Sequence, residues 1–329
     1  NGTNGFRIDG AAADDQSGWS VASAGDVNGD GFADLFVGAY GADPGGQLNA
    51  GSGYVIFGKA TGWTPTLTQS TLNGTNGFRL DGLALNDNAG ASVASAGDIN
   101  GDGITDLIIG GPGAIGGAGS SYVVFGKASG WTSTLALSSL NGVNGFRIDG
   151  VTGGDGSGRS VSSAGDVNGD GIADLIIGAS GADPGGAGGA GSSYVIFGKT
   201  SGWTATLALS SLNGTNGFRI DGVTASDDSG GSVASAGDIN GDGVGDLIVG
   251  ARNADPGGLG IAGSSYVVFG KTSAWTATLA LSSLNGTNGF RIDGAAAGDN
   301  VGFSVASAGD INGDGFADLI IGAINADPG

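Results

Sequence analysis

Along the chain, short apolar runs alternate with stretches of Gly, Asn, Asp and Ser. In the first unit the runs are FRIDG, GWSVASAG, DLFVGA and YVIFGK, each bounded by Gly, Asn, Asp or Pro and rich in Val, Ile, Phe and Tyr. That chemistry predicts strands rather than helices. Asn-Gly pairs such as Asn4-Gly5 and Asn73-Gly74 supply the positive φ of tight turns. The set then repeats. The Asp that opens the stretch DVNGDGFAD recurs at Asp26, Asp98, Asp166, Asp238 and Asp310, in steps of 72, 68, 72 and 72 residues. Long periods of this kind mark solenoids or propellers. Four short strands per unit is the size of a propeller blade, whereas a parallel β-helix repeats in far shorter steps. The expected fold is therefore all-β, a β-propeller of four-stranded antiparallel blades in one region spanning 1–329. The TATLALSSL segment reads equally as a short helix or as an irregular crossover.

The FRIDG, SVASAG and DLIIG runs occur five times and the YVVFG run four times, with Gly329 falling mid-unit. In a closed ring the N-terminal FRIDG would serve as the outer edge of the last blade. The strand between them would be absent and an edge left unpaired, so the chain is expected to be part of a longer array. It begins at Asn1 with neither a signal peptide nor an initiator Met, which predicts processing or excision from something longer.

Composition narrows the function classes. Gly supplies 74 of 329 residues, without the G-x-y period or the Pro content of collagen, and a hydrophobic content of 39% is enough for a core. All 31 acidic residues are Asp, against 11 Lys plus Arg, for a net charge of −20. Such a chain repels nucleic acid and anionic membranes, and it strains a compact fold unless cations are bound. No apolar run approaches the length of a membrane span. Without His or Cys there is no Ser-His-Asp triad, no Cys nucleophile and no His-bound metal. Paired carboxylates could serve glycoside hydrolysis, but a unique active site should break the repeat symmetry, and no acidic cluster does. The chain is expected not to be an enzyme.

What the Asp residues do instead follows from their spacing, D-x-N-x-D-G-x-x-D. The first copy offers Asp26, Asn28, Asp30 and Asp34, with the Phe32 backbone carbonyl as a further donor. The second offers Asp98, Asn100, Asp102, Asp106 and the Ile104 carbonyl, and the third Asp166, Asn168, Asp170, Asp174 and the Ile172 carbonyl. The fourth offers Asp238, Asn240, Asp242, Asp246 and the Val244 carbonyl, and the fifth Asp310, Asn312, Asp314, Asp318 and the Phe316 carbonyl. Alternate residues of a tight loop face one side, and the Gly at the sixth position permits the sharp turn. Hard oxygen donors without His or Cys select Ca²⁺ over zinc or copper, and Mg²⁺ would demand octahedral geometry. This is not an EF-hand: the twelfth-position Glu is missing and strands flank the loop. Asp34 and its counterparts are expected to close the shell. The loops 26–34, 98–106, 166–174, 238–246 and 310–318 hold 15 of the 31 Asp, and five divalent ions would take the net charge from −20 to −10. Sites of this kind commonly bind at about 10⁻⁴–10⁻³ M, which favours an extracellular location.

The stretch SVASAGDVNGDGFADLFVGA followed by GYVIFGK resembles the FG-GAP repeat, the blade of integrin α-subunit propellers and of many bacterial surface proteins. The resemblance covers essentially the whole chain. It implies a propeller with Ca²⁺ in the loop between the first and second strands of each blade, matching the positions above. The FG appears here as Ser17-Gly18, Ala89-Gly90 or Val301-Gly302, and the GAP as GAY, GGP, GAS, GAR or GAI. Family rings usually have seven blades, which leaves ring size open. Near-identical GTNGFRIDG copies look like those of large bacterial adhesins.

Other features carry plainer expectations. Arg7 and Asp9, and their counterparts, share one strand face and should form an exposed ion pair worth little. Trp63, Trp131, Trp203 and Trp275 could stack on sugars, but are expected to fill space between blades. NGT at Asn1, Asn73, Asn213 and Asn285 matches a glycosylation pattern and is read as turn chemistry. Position 19 varies as Trp19, Ala91, Arg159, Gly231 and Phe303 while its neighbours hardly change. With the Gly-rich loops 39–52, 111–119, 179–191 and 251–263, it falls on the face opposite the calcium loops. The variation fits either a protein or glycan ligand there or relaxed constraint. The function expected is a calcium-binding extracellular propeller for cell-surface adhesion or ligand binding. The alternatives are a self-assembling surface-layer or filament protein, and the non-catalytic propeller of a larger secreted enzyme.

Overall fold

The computed structural model describes residues 2–327. Each unit builds three strands of a blade and the next unit supplies the fourth. In the first blade Ser20–Gly25, Asp34–Ala39 and Ser52–Ile56 run antiparallel, and Gly77–Asp81 of the following unit pairs with Ser52–Ile56. The second blade repeats this with Ser92–Gly97, Asp106–Gly111, Ser120–Val124 and Gly145–Asp149. The third uses Ser160–Gly165, Asp174–Ala179, Ser192–Ile196 and Gly217–Asp221. The fourth uses Ser232–Gly237, Asp246–Ala251, Ser264–Val268 and Gly289–Asp293. Val301–Gly309 and Asp318–Ala323 form a two-stranded sheet, and Arg7–Asp9 pairs with Thr66–Thr68. These are propeller-type blades, each handing its outer strand back to its predecessor.

Two expectations need amendment. Each blade has its four antiparallel strands, and three of the four add a fifth. Thr134–Ala136 adds a short parallel strand outside Gly77–Asp81, as Thr206–Ala208 does outside Gly145–Asp149 and Thr278–Ala280 outside Gly217–Asp221. A 3₁₀ turn follows each, Leu137–Ser139 in the first case, so the TATLALSSL segment is strand, then turn. The tryptophans explain the clasp. Trp131 stacks on Phe78 of the preceding blade at 4.1 Å, with the Lys127 ammonium 4.6 Å from the indole. Trp203 on Phe146 and Trp275 on Phe218 repeat the arrangement. The tryptophans fill space between blades, and the added strand covers an edge that would otherwise invite pairing. The second correction concerns the Arg–Asp pairs. Arg79 and Asp81 have side-chain exposures of 37% and 17%, against 73% and 39% for Arg7 and Asp9. Arg79 lies across from the buried Tyr54 in register, which draws the pair into the blade.

The hydrophobic core lies between blades. Phe36, Val55 and Phe78 of the first blade pack with Val93, Leu107 and Ile109 of the second. At the inner strands the blades join directly: the Ser20 hydroxyl accepts the Val93 N–H at 3.1 Å, and Ser92, Ser160 and Ser232 accept those of Val161, Val233 and Val305. Backbones also touch. A Cβ on Gly38 would run into the Gly90 carbonyl oxygen, and the pairs Gly110–Gly158, Gly178–Gly230 and Gly250–Gly302 repeat this approach. That accounts for the departures from FG and GAP: the glycines stay because two main chains meet there, while the residues beside them vary. Asn73 accepts the Thr75 N–H and hydroxyl at 2.9 and 2.7 Å, and Asn213 and Asn285 do the same, so NGT is turn chemistry. Asn1 lies outside the described residues.

Trp131→Ala should lower stability in urea by about 3 kcal/mol, since it removes a stacked ring and the anchor of the fifth strand. Lys127→Ala should lower it by no more than about 1 kcal/mol. Equal losses for the two variants would refute the clasp.

Candidate metal centre

The loop leaving each inner strand is held by the same four hydrogen bonds in all five copies. In the first, the Asp30 N–H donates to Asp26 Oδ1 and to Asn28 Oδ1, both at 3.0 Å, the Gly31 N–H donates to Asp26 Oδ2 at 2.8 Å, and the Phe32 N–H donates to Asp30 Oδ1 at 2.9 Å. The loops at Asp98, Asp166, Asp238 and Asp310 repeat the pattern. These bonds fold the donors inward; in the first two copies each carboxylate oxygen keeps a lone pair, whereas Asp166, Asp238 and Asp310 Oδ1 each also accept a second N–H, from Gly169, Gly241 and Gly313 at 2.7 Å. In two copies the amide of the third position also reaches the carboxylate of the fifth, Asn28 to Asp30 and Asn168 to Asp170 at 3.0 Å.

The ninth position behaves differently. Asp34 is fully buried, and its two oxygens accept the Val27 N–H at 2.9 Å and the Gly58 N–H at 2.7 Å. Asp106, Asp174 and Asp246 repeat the clamp with Ile99 and Gly126, Val167 and Gly198, and Ile239 and Gly270. Asp318 accepts the Ile311 N–H. Sequence reading places these carboxylates in an ion's shell; in the structure they tie the loop to the end of the third strand, and an ion would share them with the backbone. Accordingly, among the described residues no three acidic side chains gather into a ready-made metal cluster. The donor set still fits a hard cation: two carboxylates, an amide oxygen and a backbone carbonyl per loop, with the clamped carboxylate behind them.

Burial dominates the electrostatics of the clamp. It raises Asp34 and Asp246 to about 6 and Asp106 and Asp174 to about 7, against the backbone N–H bonds that oppose it and with the neighbouring loop aspartates adding to it. By contrast the Gly315 N–H draws Asp310 below the usual carboxylate range.

Each loop is also a joint between blades. The Val27 carbonyl accepts the Lys127 N–H of the second blade at 3.0 Å, and those of Ile99 and Val167 accept from Lys199 and Lys271. Two groups escaped the sequence reading. Gly58 of FGK, with its counterparts, donates to the buried carboxylate; a Cβ there would run into the Ala33 carbonyl, and its recurrence was the available signal. Asp15, Asp87, Asp155, Asp227 and Asp299 are buried in the FRIDG-to-SVAS loops, where each caps a turn. Five-fold recurrence within a variable stretch was their only mark.

At the other end of the inner strands the five residues of position 19 converge. Trp19, Ala91, Arg159, Gly231 and Phe303 line one cavity of about 460 Å³.

The FG-GAP repeat matches the chain over residues 17–56, 89–124, 157–196, 229–268 and 301–329. The chain belongs to the FG-GAP repeat family. Among curated relatives, phosphatidylinositol-glycan-specific phospholipase D of Bos taurus is 33% identical over 174 residues, which is 51% of this chain and 19% of that protein. The protein of the same name from Mus musculus is 35% identical over 121 residues, 36% of this chain and 14% of that one. This FG-GAP chain therefore spans about a fifth or less of the length of the relatives it matches. Among the described residues no helix is long and apolar enough to cross a membrane.

In chelator, stability should fall as pH rises from about 5 to about 8. The folded forms of Asp34, Asp106, Asp174 and Asp246 hold protons up to about 6–7, above the unfolded value of 3.8. Stability from that uptake is complete below the unfolded value and lost as pH passes the folded one. Urea midpoints at pH 5 and 8 check this; an unchanged or rising midpoint contradicts it.

Proposed function

We propose that this FG-GAP chain is a calcium-stabilised extracellular propeller module that presents a ligand-binding face for cell-surface adhesion. The observation that carries the reading is the loop itself: five copies, one set of oxygen donors and one hydrogen-bond pattern, each placed at a joint between blades. An ion in the loop would act on two blades at once. It would also offset the repulsion among the loop carboxylates that helps raise Asp34 and Asp106. At a hundredfold excess over Kd, each site would add about 2.7 kcal/mol, given no binding to the unfolded chain.

A second reading has one specific support. The similarity to phosphatidylinositol-glycan-specific phospholipase D suits a non-catalytic propeller within a larger secreted enzyme. The two readings share the calcium sites and differ in what the full-length chain carries. A self-assembling surface layer is the third, marked by ordered assembly with calcium alone.

Calorimetric titration should give about five calcium equivalents, and millimolar calcium should raise the melting temperature well above that in chelator. Asp26→Ala should remove one equivalent and leave four. A melting curve indifferent to chelator defeats the proposal.

A further inference from the structure

The repeats are nearly uniform, so the place where they stop being uniform is informative. Position 19, at the start of each inner strand, carries five different residues, and all five face one cavity. The residue after each second strand varies too, and Tyr40 and Arg252 from that set line the same cavity. Residues about 72 apart in sequence thus meet at one mouth, which makes it a single site on a repeating scaffold.

Its charge runs against that of the molecule. The chain has 31 Asp, yet among the described residues no carboxylate lines the cavity, whereas Arg159 and Arg252 both do. Each of the other five Arg is engaged by the Asp two residues on, and all four Lys lie over a Trp ring. Arg252 is held by Asp228 at 2.6 Å and lies 5.5 Å from the Phe303 ring centroid. Arg159 is exposed and, among the described residues, has neither a carboxylate nor an aromatic partner. An unpaired guanidinium on a strongly acidic protein is a fork for a carboxylate.

The aromatic side of the cavity is prepared as well. Trp19 is 64% exposed, unlike the stacked tryptophans, and Tyr40 meets it edge-on at 4.9 Å and 67°. The Tyr40 hydroxyl donates to Gln16 at 2.9 Å, and the backbone carbonyls of Tyr40 and Arg252 accept from the amides of Asn88 and Asn300. These bonds fix the platform before any ligand arrives. A flat exposed indole suits the C–H face of a pyranose ring. A volume of about 460 Å³ suits one or two sugar rings rather than a helix or a long peptide.

We propose that this mouth binds an acidic sugar, a hexuronate unit whose carboxylate pairs with Arg159 while its ring lies on Trp19. This rests on the ligand-binding reading above and gives it a site and a ligand class. The test is calorimetry on the calcium-saturated chain with glucuronic acid and a hyaluronan tetrasaccharide as probes. Glucose and a neutral N-acetylglucosamine tetramer are the uncharged counterparts, and a polyglutamate peptide is the third arm. The expected result is one equivalent bound per chain, with the neutral sugars at least tenfold weaker and the Trp19 emission altered. Arg159→Gln should weaken binding at least tenfold, Arg159→Lys by less, and Trp19→Ala several-fold. Both positions are exposed, and the calcium-dependent melting temperature of each variant reports its folding. Five equivalents, equal binding of neutral sugars, or affinity indifferent to Arg159→Gln would overturn the proposal. Arg159-dependent binding of polyglutamate without the sugars would assign the mouth to acidic peptides and overturn it equally. If no probe binds while the calcium shift persists in the same sample, this inference falls and the calcium reading stands.

Discussion

The arrangement turns on a buried carboxylate at the end of each acidic loop. Asp34 has no water to solvate it, so the backbone does so, through the Val27 and Gly58 N–H groups. That pair of bonds fixes the loop between the first two strands against the end of the third. It thereby sets where Asp26, Asn28 and Asp30 can go. Burying a charge is costly unless it is paired, and the rise of Asp106 and Asp174 to about 7 expresses that cost. Fold and candidate site are thus one construction. The loop exists in this shape because the clamp holds it.

Much of this was legible in the chain because repetition amplifies weak signals. One short apolar run is ambiguous between strand and helix, but five equivalent runs between Gly and Asn are not. The handover of the FRIDG strand was anticipated only at ring closure, whereas the structure makes it between every pair of successive blades. The fifth strand was not legible, because Thr134–Ala136 has no strand pattern of its own; it is extended because Trp131 pins it beside Phe78. The Asp34 orientation was hidden for a related reason. Spacing shows which side chains can reach a point, whereas the fold decides which of them also serve the backbone, as Asp34 does for Val27 and Gly58. Convergence at position 19 required the topology, since spacing along the chain does not state that inner strands meet around a shared mouth.

Symmetry separates the two kinds of residue. Whatever recurs in every unit has a job every blade must do: the Ser20-type contact between inner strands, the Gly38–Gly90 approach, the Trp–Phe stack, the clamp. A ligand at the shared mouth meets all the blades at once and needs no such repetition. Variation at Trp19, Arg159 and Phe303 costs the fold little, because the side chains point out of the packed region while Ser20, Ser92 and Ser160 beside them hold the blades together. The scaffold is therefore rigid where it is uniform and free to diversify where it is not.

The inner strand also sets how the two ends can influence each other. Six residues at about 3.3 Å each place Trp19 roughly 20 Å from Asp26. At physiological salt the Debye length is about 8 Å, so charge in the loops is felt only weakly at the mouth. Cation loading would change the net charge by half, yet that change would hardly reach an anion seated on Arg159. What does reach the mouth is packing. The Val27 and Lys127 joint and the Ser20 and Val93 contact lie on the same pair of blades. A loop that stiffens that pair restricts how far Trp19 and Ala91 can move apart. Any coupling between an ion at one end and a ligand at the other would therefore run through blade geometry. It would persist at salt concentrations that abolish a direct electrostatic effect.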